Sequence, residues 1–128
     1  MKIAATIARY LLGVVFLVFG LNIYLQFMPA PPLPPGPFAD FSHALFNSHY
    51  IFVVGIFQVV PAILLLINRY VPLGLALLVP VIVNIDLTHI FMAPSGLPIA
   101  AVVSALWILV FLRVRSAFSG LFQARVEN

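Results

Sequence analysis

Residues 68–96 read NRYVPLGLALLVPVIVNIDLTHIFMAPSG. Asn68-Arg69-Tyr70 is too short for anything but a tight turn. Pro72 then suits the first turn of a helix, where a missing N–H costs nothing. The residues from 72 to about 92 carry a single charge, Asp86, and are otherwise mostly apolar. Ala93-Pro94-Ser95-Gly96 is a second tight turn. A run of this length matches the roughly 20 apolar residues that a helix needs to cross a bilayer. Tight turns on both sides make the segments before and after it antiparallel neighbours.

The rest of the chain has the same character. Of 128 residues, 64% are hydrophobic and 7% charged, and the mean hydropathy is +1.21. A soluble domain is about 45–50% apolar and about 25% charged. Charge-free runs cover 10–39, 41–68, 70–85 and 87–112. This composition excludes a soluble catalytic domain, a dinucleotide-binding unit and a nucleic-acid-binding module. The chain has no cysteine, which excludes dithiol chemistry and thiolate-ligated metals or clusters.

Four spans are predicted in one all-α domain, at about 4–27, 50–67, 72–92 and 97–112. The first follows a basic start, as a signal peptide does. Signal cores run about 7–15 residues, whereas Tyr10 to Phe27 gives 18, so it is read as a span. The connection 28–48 holds six prolines between Pro29 and Pro37 and cannot be helical there. As polyproline II it reaches about 28 Å, enough to cross the mouth of a small bundle. The following FADFSHALF places Phe38, Phe41 and Leu45 on one face of a short helix, expected to lie in the membrane interface. The tail 115–128 carries Phe118, Leu121 and Phe122 between Arg115 and Arg125. It is expected to be a second amphipathic interfacial helix.

Cations set the orientation. With the N-terminus in the cytoplasm, Lys2, Arg9, Arg69, Arg113, Arg115 and Arg125 all fall on the cytoplasmic side, and the opposite side receives none. The positive-inside rule therefore predicts both termini in the cytoplasm and the proline-rich loop outside. The net charge of +3 reflects this topology rather than a nucleic-acid partner.

Polar side chains within spans are costly, so their positions carry information. Asn22 and Gln26 lie one turn apart near the outer end of span one. Gln58 lies in the outer part of span two. Asn84, Asp86, Thr88 and His89 lie in the outer half of span three, and Ser104 in that of span four. Their common depth predicts a polar cavity that opens outward, lidded by the proline loop, with Asn22, Gln26, Gln58, Asn84, Asp86 and His89 as candidate ligand-binding residues. The competing explanation is interhelical hydrogen bonding, worth on average about 0.6 kcal/mol per contact. Pro61 and Pro80, mid-span in two and three, each free a carbonyl and bend a helix beside this layer. On a helical wheel Asp86 lies about 160° from Asn84 and about 60° from His89. Asp86 is therefore expected to pair with His89 and to face a surface specific to this protein, such as a partner subunit or bound cofactor.

Bis-histidine haem needs two axial ring nitrogens, and only His89 lies clearly inside a span, so haem is not expected. His43, His49, His89 and Asp86 have no recognised metal-ligand spacing. There is no paired carboxylate, supported Ser–His–acid set or phosphate loop, so no catalysis by the chain itself is expected.

Three segments carry a family resemblance: RYLLGVVFLVFGLN (9–22), NRYVPLGLALLVPVIVN (68–84) and HIFMAPSGLP (89–98). Together with the proline-rich first loop they resemble the DoxX-like family of small four-helix bacterial membrane proteins. The resemblance implies a home in the bacterial inner membrane. It also implies an association with membrane redox or stress complexes, since the family takes its name from a subunit associated with a thiosulfate:quinone oxidoreductase. The matching positions it marks are Asn22, Asn84 and His89. Gln58 stands where similar chains often carry glutamate, and Asp86 where they usually carry an apolar residue.

The expected function is accordingly that of an accessory membrane subunit. It would bind a small amphipathic molecule, a quinone or another lipid, or a partner protein, in the outer leaflet. Two alternatives are a quinone-linked component of a membrane oxidoreductase system and a purely structural subunit of a larger membrane complex. The expected partners are membrane lipids and other membrane subunits or further copies of the chain.

Overall fold

The computed structural model describes residues 1–30 and 32–127; Pro31 of the proline run and Asn128 at the end of the tail lie outside the described residues. The described chain is all-helical. Its helices are α1 (Lys2–Leu25), α2 (Pro37–Asn47), α3 (Ile51–Leu66), α4 (Val71–Phe91) and α5 (Leu97–Val114). A 3-10 turn, Pro94–Gly96, precedes α5, and a 3-10 segment, Arg115–Phe122, follows it. Three helical stretches are long and apolar enough to cross a membrane: α1, α4, and α5 with its 3-10 extensions. The fourth, α3, reaches that length only together with α2, from which it is bent by 85°.

Local chemistry sets the boundaries. Gln26 ends α1 in a left-handed conformation, φ 49°, and its N–H donates to Asn22 O. Asn68 and Tyr70 take left-handed φ values of 55° and 54° and reverse the chain between α3 and α4. Pro72 enters the first turn of α4. Pro61 and Pro80 lie inside α3 and α4, and both helices run on through them.

The long helices form a ring in the order α1, α3, α4, α5, with α5 closing on α1. Between α1 and α3 the register is antiparallel and close. A Cβ placed on Gly13 would sit 2.8 Å from Leu66 Cγ, one on Gly20 2.8 Å from Val59 Cγ2, and one on Gly55 2.7 Å from the Tyr24 hydroxyl. Small residues at such positions let helix backbones approach without a hydrophobic driving force. Tyr24 then stacks on Phe52, with ring centroids 5.5 Å apart, and its hydroxyl donates to Phe52 O.

The core is purely apolar. Leu12 and Phe16 of α1, Leu65 of α3, Leu75 and Leu78 of α4 and Val110 of α5 meet at its centre. Trp107 ties α5 to α4, its indole N–H donating to Leu75 O at 3.0 Å. Large apolar side chains also cover the outside of every long helix, among them Leu11, Val14, Ile63, Val83, Val102 and Ile108. Helices apolar all round an apolar core suit hydrocarbon as the surrounding solvent.

The tail departs from expectation. Residues 115–122 form a 3-10 segment rather than an amphipathic α-helix. Phe118 turns back to pack on Phe111, 5.2 Å between centroids, and Phe111 stacks on Trp107, also at 5.2 Å. This aromatic ladder extends α5 and leaves Leu121 and Phe122 exposed.

Candidate binding groove

The bend between α2 and α3 creates the site. Pro37 starts α2 in its first turn, and the helix runs at 85° to α3. A groove of about 680 Å³ opens between the three helices. Phe41 and Leu45 of α2, Val54 and Phe57 of α3, and Val81 and Ile85 of α4 supply its apolar wall. Gln58, Asn84 and Thr88 are set into that wall. Among the described residues the proline run lines none of it; Phe41 and Leu45 of α2 border the groove on that side. Of the expected proline lid, Pro31 lies outside the described residues; the chain becomes helical at Pro37, and α2 borders the groove.

The polar residues of the long apolar helices do not meet in one cavity. They are distributed over several places. Gln58 and Asn84 share the groove with Thr88. Asn22 caps the end of its own helix, its Oδ1 accepting from Met28 N–H at 2.9 Å. Gln26 is the exposed left-handed residue that ends α1. Asp86 faces α5, where Ser104 Oγ lies 2.9 and 3.1 Å from its two carboxylate oxygens. His89 lies against Gly96, at which any side chain would collide with the ring.

The expected Asp86–His89 contact is therefore replaced. His89 Nδ1 lies 2.7 Å from Ile85 O, so this nitrogen carries the proton and the ring is held on its own helix. The same one-turn back-bond recurs along α4. Asn84 Nδ2 donates to Pro80 O at 2.7 Å, and Thr88 Oγ1 donates to Asn84 O at 2.7 Å. Short polar side chains satisfied locally have no need to converge. Successive positions then point about 100° apart, which sends Asn84 to the groove and Asp86 to α5.

The back-bonds also decide what the groove offers. Asn84 has one amide N–H engaged and keeps its other N–H and its carbonyl oxygen. Thr88 keeps an acceptor oxygen. Gln58 has no hydrogen-bond partner among the described residues, so its whole amide is available. These groups are neutral and serve both as donors and as acceptors. No carboxylate, histidine or cation lines the groove. Among the described residues no group of three or more His, Asp or Glu side chains comes together in a metal-binding arrangement.

The sequence reading did not single out the apolar wall, least of all Phe57, Val54 and Ile85. In so apolar a chain nothing distinguishes a groove-lining Val or Ile from one in the core or facing lipid. It also passed over Trp107, whose indole N–H inside a span requires an acceptor. Comparison with protein-family models, curated proteins and solved structures returned no match to the chain.

Proposed function

We propose that the chain is a DoxX-like accessory subunit of the bacterial inner membrane that holds an amphipathic molecule of quinone or lipid type in the groove between α2, α3 and α4. The observation that carries this reading is the pair of amides, Gln58 and Asn84, set in an otherwise apolar groove. Small-molecule sites combine an apolar lining with a few polar groups that fix orientation. A charged head would find no counter-charge here. A purely aliphatic molecule would leave the Gln58 amide and the free amide groups of Asn84 unpaired, at a cost of about 1–3 kcal/mol for each group that it buries. A neutral head bearing carbonyl oxygens suits them best. The free N–H groups donate to a quinone or ester carbonyl, and the amide oxygens accept from a quinol or glycerol hydroxyl.

In this reading both termini face the cytoplasm and the groove lies in the outer leaflet. The placement of Lys2, Arg9 and Arg113 at the opposite end of the bundle from α2 supports that orientation. The test is mass spectrometry of small molecules copurifying with the chain. A bound quinone or glycerolipid is expected, reduced at least about tenfold in the Gln58→Leu/Asn84→Leu double variant. An identical set of molecules retained by wild type and variant would overturn the proposal. A stoichiometric protein partner with an empty groove would favour the structural-subunit alternative.

A further inference from the structure

A second recess, of about 360 Å³, lies at the other end of the bundle. Its lining comes from three parts of the chain: the first two turns of α1 with Lys2 and Arg9, the α3–α4 turn with the start of α4, and the last turn of α5 with Arg113. Three cations thus enter one small concavity, and among the described residues no carboxylate lines it. Two of the three acidic residues of the chain, Asp40 and Asp86, belong to α2 and to the outer half of α4. The third, Glu127, is exposed in the tail.

Arg9 is the fixed element of the set. It is half-buried, and Nη1 donates to Leu65 O, the last turn of α3. Its guanidinium carbon lies 4.4 Å from the centre of the Tyr10 ring. Arginine has five N–H donors in a planar fork, so the single bond to Leu65 O leaves several for an oxyanion. Lys2 and Arg113 are exposed and free to close on it. Both α1 and α4 begin at the recess, and no side chain caps either N-terminus. The C-terminal ends of α3 and α5 lie at the same end of the bundle, so the helix dipoles largely offset one another there and the side-chain cations set the charge of the recess. The simpler account, that Arg9 and Arg113 complement the C-terminal ends of α3 and α5, leaves Lys2 and the remaining donors of Arg9 in the same concavity without an anion.

We propose that this recess binds the phosphate of an anionic phospholipid headgroup. The chemistry required is a phosphate oxyanion that takes a forked guanidinium, an ammonium and backbone N–H donors. The source is assigned to the lipid because the recess sits at the end of apolar, membrane-length helices, at the level of the headgroups. Basic pockets between spanning helices are suited to anionic headgroups. The inference is independent of the groove between α2, α3 and α4. It uses different residues at the opposite end of the molecule and holds for either orientation in the membrane.

The test is native mass spectrometry of the full-length protein released from mixed micelles containing equimolar phosphatidylglycerol and phosphatidylcholine. Wild type is expected to retain one phosphatidylglycerol in preference to phosphatidylcholine. The Lys2→Gln/Arg113→Gln variant removes two exposed cations without touching the Arg9–Leu65 bond. Its preference should fall on the order of thirtyfold while its helical circular dichroism is unchanged. Arg115→Gln/Arg125→Gln removes the same charge from residues that do not line the recess and should keep the preference. An equal loss in both double variants would mean diffuse attraction and would overturn the site. Displacement of the lipid by millimolar inorganic phosphate would assign the recess to free phosphate and overturn the lipid source.

Discussion

Ser104 of α5 lies within hydrogen-bonding distance of both carboxylate oxygens of Asp86 of α4, at 2.9 and 3.1 Å. It joins the one acidic residue of the spanning helices to the neighbouring helix by a single hydroxyl. Both residues are half-buried. Removing the hydroxyl leaves a half-buried carboxyl group between apolar helices with no described partner. Ser104→Ala should therefore destabilise the bundle by about 1–3 kcal/mol. Replacing both partners by apolar groups removes the unsatisfied charge as well. Asp86→Leu/Ser104→Ala should accordingly be at least as stable as Ser104→Ala alone. Thermal unfolding in detergent measures both, and a Ser104→Ala variant as stable as wild type would show that the pair contributes nothing.

The α1–α3 contact gives a sharper packing test. A Cβ on Gly20 would lie 2.8 Å from Val59 Cγ2 and 3.3 Å from Val59 N. Backbone cannot move aside as a side chain does, so Gly20→Val should cost about 1–3 kcal/mol by overpacking. At Gly120, in the 3-10 segment after α5, an added Cβ would have nothing within 4 Å. Gly120→Ala should leave the melting temperature unchanged. Equal effects at the two glycines would contradict the close approach of α1 to α3.

Orientation can be read chemically because the chain has no native cysteine. His43 is exposed on α2 and Asn68 is exposed in the α3–α4 turn at the cation-rich end. In intact cells His43→Cys should react with a membrane-impermeant maleimide and Asn68→Cys should not. The reverse labelling would place the groove in the cytoplasmic leaflet.

The helices were legible in the sequence to within a residue or two at most ends. Span three, expected at 72–92, is α4 at Val71–Phe91. One free-energy term, the transfer of apolar side chains out of water, dominates there and varies smoothly along the chain. The meeting of polar residues was not legible, because it depends on competition between several acceptors of similar strength. The wheel placed His89 near Asp86, yet Ile85 O lies within reach of His89 on the same helix, and Ser104 comes from a helix whose rotation only packing decides. The part of α2 in the groove was similar. The sequence placed Phe41 and Leu45 on one face of a short helix, but which surface that face meets depends on the 85° bend into α3.

The shortness of α3 has a consequence for the surrounding bilayer. Its 16 residues span about 24 Å, whereas the 24 residues of α1 span about 36 Å, against a hydrocarbon thickness of about 30 Å. A bilayer crossed by both helices would have to thin beside α3, while α1 tilts or its flank swells to match. Such a molecule would be asymmetric in hydrophobic thickness, with its thin side next to the groove between α2, α3 and α4.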